Sequence, residues 1–423
     1  MTRIPGRSRW SFFGLLVVAV APLLVGSCDS ESDHSQPVAQ PNVLVILIDD
    51  LRPDLGAYGH RLVQSPSIDR LAARGVRFDR AYAQASVCNP SRVSLLTGLR
   101  PATTGIFDNR TRVAERLSDV VTLPGAFNRE GYFTASIGKI FHGTGRPGAW
   151  TDRESWDIQI APGDGGPGGK RRVEMTDRGW IGRYRWQAVR GRDTRLVDVR
   201  TAQRAIEVLE AQRDEPFFMM VGLTGTHPPF EAPARFFDLY PLEAIPLPTT
   251  VGEASQSYAT RAWSDQEEAR FTDQQQRELI RAYWACVSFV DEQVGKILNA
   301  VDRLDLTPST IVVVTSDHGY HLGEHDWWTK HTLYEVATRV PLFVAYPGAV
   351  PTSRNSSRIV ELIDLYPTLA DIAGLDAPVG LEGRSLRPLL ENSQASWKQE
   401  AISQMRVGPT LGSSIRTDRW RYT

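Results

Sequence analysis

The sequence predicts an α/β protein with a large, mostly parallel sheet flanked by helices, and three observations carry the prediction. The run "PNVLVILIDD" at 41 to 50 is apolar almost throughout, rich in Val and Ile, and stops at two acids, as a strand buried on both faces does. Two more runs of this kind, "PFFMMVGLT" at 216 to 224 and "STIVVVTSDHG" at 309 to 319, lie far along the chain. Stretches with the helical 3.6-residue period separate them, such as "VRTAQRAIEVLEAQR" at 199 to 213. Strands that alternate with helices imply crossover connections and therefore parallel pairing.

Residues 1 to 27 stand outside that fold. Arg3, Arg7 and Arg9 precede the apolar run "WSFFGLLVVAVAPLLVG", which Pro22 interrupts. The pattern is that of an export signal, with a single membrane-spanning helix as the rival reading. Val25-Gly26-Ser27-Cys28 resembles the lipobox of bacterial lipoproteins. The expectation is therefore a signal peptide over 1–27, a membrane lipid anchor at Cys28, and an exported protein at the cell envelope. Residues 28–40 read as a polar linker and 41–375 as the main domain. Within it, "SIDRLAARG" reads as a short helix closed by Gly75, "VRFDRAYA" as a strand, "TLPGAFNREG" as a helix and "YFTASIGK" as a strand. Residues 273 to 304 form a long amphipathic helix, and "VPLFVAY" is a further strand. The Gly/Arg-rich run "APGDGGPGGKRRVEMTDRG" and the segment 228 to 270 read as long irregular insertions that shape a substrate entrance. The last segment, 376–423, reads as a small antiparallel subdomain whose sheet stops incomplete.

A formal charge of −1 gives no pull toward nucleic acid, and none is expected as a partner. Of the three cysteines, Cys28 is assigned to the anchor, and Cys286 falls on the apolar face of the long helix, where a buried thiol is the plain reading. A disulfide to Cys88 is the alternative. Cys88 itself, in "QASVCNPSRVSLLTG", just ahead of a helix, is left to explain.

Ligands of open parallel sheets gather beyond the carboxyl ends of the strands. Asp49 and Asp50 end one apolar strand, and Asp317 and His318 end another. Three carboxylates converging there repel one another unless a cation joins them, and oxygen-rich donors favour calcium over zinc. The competing reading makes each a simple loop or turn cap. Lys139 and His142 follow a third strand, and His227 follows a fourth. "SDHGYHLGEHDWWTKHT" adds Lys330 and four of the eight histidines. His321, His325 and His331 read as structural. The lysines and remaining histidines suit an anionic substrate.

"CNPSRVSLLTG" resembles the signature of the formylglycine-dependent sulfatase family, and "NVLVILIDDLRPDLGAYG" and "DHGYHLGEHDWWTKHTLYEVATRVPLFV" are similar to blocks of its iduronate-2-sulfatase-type members. The resemblance implies an alkaline-phosphatase-like fold, hydrolysis of sulfate esters in sulfated carbohydrates, and conversion of Cys88 to formylglycine by a formylglycine-generating enzyme. It implies Ca2+ held by Asp49, Asp50, Asp317, His318 and the converted Cys88. It further implies that Arg92 holds the hydrated aldehyde, Lys139 and Lys330 balance the sulfate charge, His227 aids the leaving alcohol, and His142 takes the remaining diol proton. One departure bears on the leaving group, because a His-Lys-Pro-His run common in that type is Thr-Gly-Thr-His here and keeps only His227. Two alternatives stay open: a phosphatase or phosphonate hydrolase of the same superfamily, and an inactive surface lipoprotein that binds sulfated glycans. A cysteine-dependent phosphatase is disfavoured, since Cys88 and Arg92 do not flank a five-residue anion loop.

Overall fold

The computed structural model describes residues 40–143, 153–162, 175–181, 184–191, 193–248, 271–347 and 354–423. The expected signal, Cys28, most of the linker and most of both insertions lie outside the described residues. No described helix is long and apolar enough to cross a membrane.

The strands are, in chain order, β1 (Asn42–Ile48), β2 (Val76–Tyr82), β3 (Phe133–Gly138), β4 (Ile158–Ile160), β5 (Met175–Ile181), β6 (Tyr184–Val189), β7 (Phe217–Leu223), β8 (Phe230–Pro233), β9 (Thr310–Ser316), β10 (Arg339–Val340), β11 (Leu342–Ala345), β12 (Arg354–Glu361), β13 (Glu400–Val407), β14 (Thr410–Thr417) and β15 (Arg421–Tyr422). Nine of them form one sheet in the order β10-β2-β11-β9-β1-β7-β3-β4, with β12 also on β2. All its pairings are parallel except those made by β10 and β11. The expected mostly parallel sheet is thus present, and "VPLFVAY" supplies a strand that runs against it.

The principal helices are α1 (Pro66–Ala72), α2 (Cys88–Thr97), α3 (Leu123–Arg129), α4 (Val197–Ala211), α5 (Asp273–Arg303) and α6 (Leu365–Ala373). Alternation along β1 shows why the sheet has helices on both faces. Leu44, Ile46 and Ile48 enter a core with α4 and α5, whereas Val43, Val45 and Leu47 enter a second core with α2, α3 and α6. Burial of each such side chain contributes about 1.5–3 kcal/mol, so β1 at the centre cannot shift without exposing one face. Helix α5 begins in a reciprocal capping box between Thr272 and Gln275 and carries Cys286 fully into the core. Cys286 and Cys88 are both free thiols.

Three sequence expectations are corrected. The irregular insertions contribute β5 and β8, which join β6 in a second three-stranded sheet. The four residues of β8 carry too few alternations to stand out in a sequence, and the seven of β5, MTDRGWI, show no sustained apolar alternation. Helix α1 ends at Ala72, and Gly75 serves packing instead of capping: a Cβ there would lie 2.3 Å from the Val344 carbonyl oxygen. Cys88 is not ahead of α2 but is its first residue.

The antiparallel sheet β13-β14-β15 forms at the end of the chain as expected. Ser403 Oγ donates to the Ala83 carbonyl at 2.6 Å, and the Gln404 amide donates to the Gln84 carbonyl at 2.7 Å. Arg100 and Lys398 converge on the buried Glu361 at 2.6 and 2.7 Å. These bonds fix the hairpin against the segment that leads into Cys88.

Candidate active site

Register brings the acids together. Ile48 of β1 lies opposite Ser316 of β9 and Leu223 of β7, so the residues that follow all three emerge side by side. The Asp49 amide donates to the Leu223 carbonyl at 3.0 Å, and the Asp50 amide donates to Asp317 Oδ1 at 3.1 Å. Asp50 adopts φ +62°, a left-handed conformation costly for a residue with a Cβ. The Tyr283 hydroxyl, donating to the Asp50 carbonyl at 2.8 Å, helps to hold it there. On the far side of β7, Gly138 pairs with Gly222, and a Cβ on Gly222 would lie 2.1 Å from the Lys139 carbonyl oxygen. Only glycine at 222 lets the chain after β3 come this close, and it delivers Lys139 to the acids.

Helix α2 enters from one side with every residue buried. Ser91 Oγ donates to the Asp317 carbonyl, which ties the first turn to the end of β9. Arg92 lies one turn after Cys88 and is fully buried. Its Nε donates to Asp317 Oδ2 at 2.7 Å, its Nη2 lies 3.2 Å from Asp49 Oδ1, and its Nη1 donates to the Ile140 carbonyl at 3.0 Å. Lys139 pairs with Asp49, and Lys330 Nζ lies 2.7 Å from Asp50 Oδ1. Cys88 Sγ sits among them, 3.0 Å from Lys330 Nζ and 3.4 Å from His318 Nε2.

Charge decides the protonation of this cluster. Burial opposes ionisation of Cys88, but Lys139 and Lys330 outweigh it and hold the thiol well below its ordinary range. Burial likewise opposes ionisation of Asp49, and Lys139, Arg92 and His227 overcome it. Asp317 shares Arg92 with Asp49, and burial pushes it up to about 6. Burial works against a charged His318, yet Asp317 and its neighbours raise the imidazole to about 9.

Two observations test whether these residues suit a divalent cation. Asp49, Cys88, Asp317 and His318 each offer a donor atom within 4.8 Å of the others. Among the described residues, Asp50 Oδ2 is buried without a hydrogen-bond partner, and Asp49 Oδ1 makes no hydrogen bond and faces only the Arg92 guanidinium at 3.2 Å; an oxygen buried in that state costs free energy that a bound cation offsets. The donors fit a hard ion, and the lysines beside them fit an anion bound to it.

A family model described as Sulfatase matches residues 41–375. The chain belongs to the sulfatase family. This sulfatase is 35% identical over 415 residues to human iduronate 2-sulfatase, covering 87% of its own chain and 74% of the relative. It is 33% identical over 432 residues to a sulfatase of Formosa agariphila, covering 95% and 83%. Its fold matches a solved structure in complex with its substrate D-glucosamine-2-N,6-O-disulfate, with a TM-score of 0.70, 25% identity and coverage of 89% and 87%. It also matches the phosphonate monoester hydrolase of Silicibacter pomeroyi, with a TM-score of 0.78, 23% identity and coverage of 90% and 86%, a likeness of fold alone. The enzyme is a sulfuric ester hydrolase with the alkaline-phosphatase-like fold.

The structure brings Cys88, Arg92, Lys139, Lys330, Asp49, Asp50, Asp317 and His318 of the sulfatase into one cluster. Asp50 stands at its edge, with Oδ1 on Lys330 and 3.3 Å from His318 Nδ1. His227 is half-buried, with Nδ1 2.7 Å from the Pro228 carbonyl oxygen and its ring close enough to influence Asp49. His142 is half-buried on the segment after β3, and its Nδ1 has no hydrogen-bond partner among the described residues. Among the remaining histidines, His321 is buried between the Thr332 hydroxyl at 2.7 Å and the Glu324 carbonyl, and burial lowers it to about 4. His325 stacks on Tyr334 at 4.1 Å. Neither belongs to the donor cluster around Cys88. Sequence reasoning missed Tyr283, Ser316 and Thr226. The Ser316 hydroxyl accepts from the Leu51 amide, and the Thr226 hydroxyl donates to the Asp49 carbonyl. A polar residue ending an apolar strand was the available signal for Ser316; a tyrosine amid a helix carried none.

Proposed function

We propose that this sulfatase hydrolyses sulfate esters of sulfated sugars, with 2-O-sulfated iduronate or a related uronate as substrate, and that its nucleophile derives from Cys88 converted to formylglycine. The observation that carries the reading is the placement of Cys88 as the first residue of a buried helix, between Lys330 and His318 and beside buried carboxylate oxygens that accept no hydrogen bond. The likeness to iduronate 2-sulfatase supports the substrate. A separate formylglycine-generating enzyme would carry out the conversion.

Asp49, Asp317, His318 and the converted Cys88, with Asp50 beside them, would hold Ca2+. When bound, the ion supplies positive charge that polarises a sulfate oxygen and eases ionisation of the nucleophile. The hydrated aldehyde supplies two hydroxyls on one carbon, one to attack sulfur and one whose deprotonation releases sulfate and restores the aldehyde. Arg92 fixes both carboxylates and the start of α2 relative to one another. Lys139 and Lys330 bind the anionic sulfate and offset charge as the S–O ester bond breaks. His227 gives a proton to the departing alkoxide, and His142 takes the proton of the remaining hydroxyl.

The test is a mass spectrum of the tryptic peptide Ala81 to Arg92 from protein made alongside a formylglycine-generating enzyme, followed by turnover of a 2-O-sulfated uronate disaccharide. An aldehyde or its hydrate at residue 88, with Cys88→Ala inactive, is the expected result. An intact thiol in a protein that still cleaves sulfate esters would overturn the mechanism.

A further inference from the structure

A cavity of about 470 Å³ opens beside the nucleophile and is walled by Val87, Phe107, Asn109, Arg110, His331 and Arg406 among others. Val87 and His331 are the chain neighbours of Cys88 and Lys330, so two residues of its wall adjoin the reaction centre in sequence. Its two arginines are unlike the others near by. On the C-terminal hairpin, Arg416 and Arg421 are both paired with Glu335, at 3.0 and 2.9 Å. Neither Arg110 nor Arg406 makes a close ion pair among the described residues, although Arg110 lies near enough to Asp108, also in the cavity wall, to help lower that carboxyl. Arg406 instead lies with its guanidinium over the buried Phe107 ring, 4.4 Å from the centroid, which holds the charge in place and leaves its hydrogen-bond donors for another group. The nearby acid, Asp108, turns Oδ1 to the amides of Arg110 and Thr111, each at 2.7 Å, and to the Thr111 hydroxyl at 3.0 Å.

Both arginines stand on elements bonded to the nucleophile's segment. The Asn89 amide donates to Asn109 Oδ1 at 2.9 Å, and Asn89 Nδ2 donates to the Asp108 carbonyl at 2.8 Å, which fixes the loop of Arg110 to the start of α2. Strand β13, which carries Arg406, is held by the Gln404 and Ser403 bonds to residues 83 and 84. The backbones that carry the two exposed arginines are therefore tied to the segment around residue 88.

We infer that this cavity is a second anion subsite, in which Arg110 and Arg406 bind a carboxylate or further sulfate group carried by the substrate beside the ester that is cut. The inference rests on the sulfatase reading and assigns the second anionic group of such a substrate to Arg110 and Arg406. The sulfate at the lysines and the second group at the arginines together orient the sugar, so that selection falls on KM more than on kcat.

The test compares mature enzyme with Arg110→Gln, Arg406→Gln and Arg406→Lys variants on three substrates. These are a singly sulfated uronate disaccharide, a disulfated disaccharide that lacks a carboxylate and 4-nitrophenyl sulfate, whose only anionic group is the ester. In the Gln variants, the ratio of kcat/KM for an anionic sugar to that for the aryl sulfate falls about 10- to 100-fold, the worth of a charge-assisted hydrogen bond, and Arg406→Lys recovers part of it. The sugar that suffers the fall identifies the group bound, carboxylate or sulfate. A ratio that stays constant overturns the subsite. Equilibrium binding of both disaccharides to Cys88→Ala protein, with and without Arg406→Gln, reads the subsite without turnover. Affinity lost with the arginine supports the subsite even if the proposed chemistry fails, and affinity unaffected by it refutes the subsite.

Discussion

Replacing Arg92 by methionine removes the one group that joins both carboxylates to the start of α2. The side chain is fully buried and bonded to Asp317 Oδ2 at 2.7 Å, close to Asp49 Oδ1 at 3.2 Å, and bonded to the Ile140 carbonyl at 3.0 Å. Methionine fills much of the volume but leaves two anions facing each other without their shared cation. Removal of one partner from a buried ion pair costs about 3–5 kcal/mol. With an unfolding entropy of about 2.1 cal/mol/K per residue, a domain of roughly 380 residues loses about 1 °C per 0.8 kcal/mol. The Arg92→Met protein should therefore melt about 4–6 °C below the parent when both are scanned in chelator. Millimolar Ca2+ should recover part of the loss, because the ion would neutralise the same carboxylates. Differential scanning calorimetry, with far-UV circular dichroism to verify folding, gives the answer. A melting temperature within about 1 °C of the parent in chelator would show that the carboxylates do not depend on Arg92, and a loss of equal size with and without Ca2+ would refute a cation shared by these groups.

Gly222→Ala tests the close approach that delivers Lys139: the added Cβ would meet the Lys139 carbonyl oxygen at 2.1 Å, and the variant should lose about 1–3 kcal/mol in urea unfolding. Its activity should fall further than its stability explains, since Lys139 is displaced from Asp49. Asp291 gives a pH test away from the site. Burial pushes this carboxyl up to about 6, although the amides of Ser67 and Ile68 donate to it at 3.0 and 2.8 Å. A carboxyl whose folded value lies above its unfolded one binds its proton more tightly when folded. Its contribution is full below the ordinary aspartate value and is lost as pH rises through about 6. Asp291→Asn should therefore remove roughly 2 kcal/mol of stability loss between pH 4 and 7, measured as the difference between the two unfolding curves. Parallel curves would show that Asp291 ionises as it would in water.

The central strands and the acids at their ends were legible because burial on both faces forces an unbroken apolar run, and a charge ending such a run stands out. Cys88 and Arg92 were legible only through their neighbours in a known signature. No rule of helix packing marks a Cys-x-Pro-Ser-Arg turn. Arg110 and Arg406 stayed hidden for a different reason. Each is one arginine among many, and what sets them apart is the lack of a close ion pair among the described residues and a phenylalanine 299 positions from Arg406 in sequence. Strands β5 and β8 were missed because their pairing, not their composition, makes them strands.

Because β1, β7 and β9 run in fixed register, the reaction centre of this enzyme inherits its dimensions from the sheet. The groups proposed to choose the sugar hang instead on the loop after α2 and on the C-terminal hairpin, at the edge of that frame. On that proposal, lengthening, shortening or exchanging these two pieces would alter which sugar is recognised while the groups around residue 88 keep their spacing. An engineer seeking a new glycan target would redraw the rim and leave the strand ends untouched.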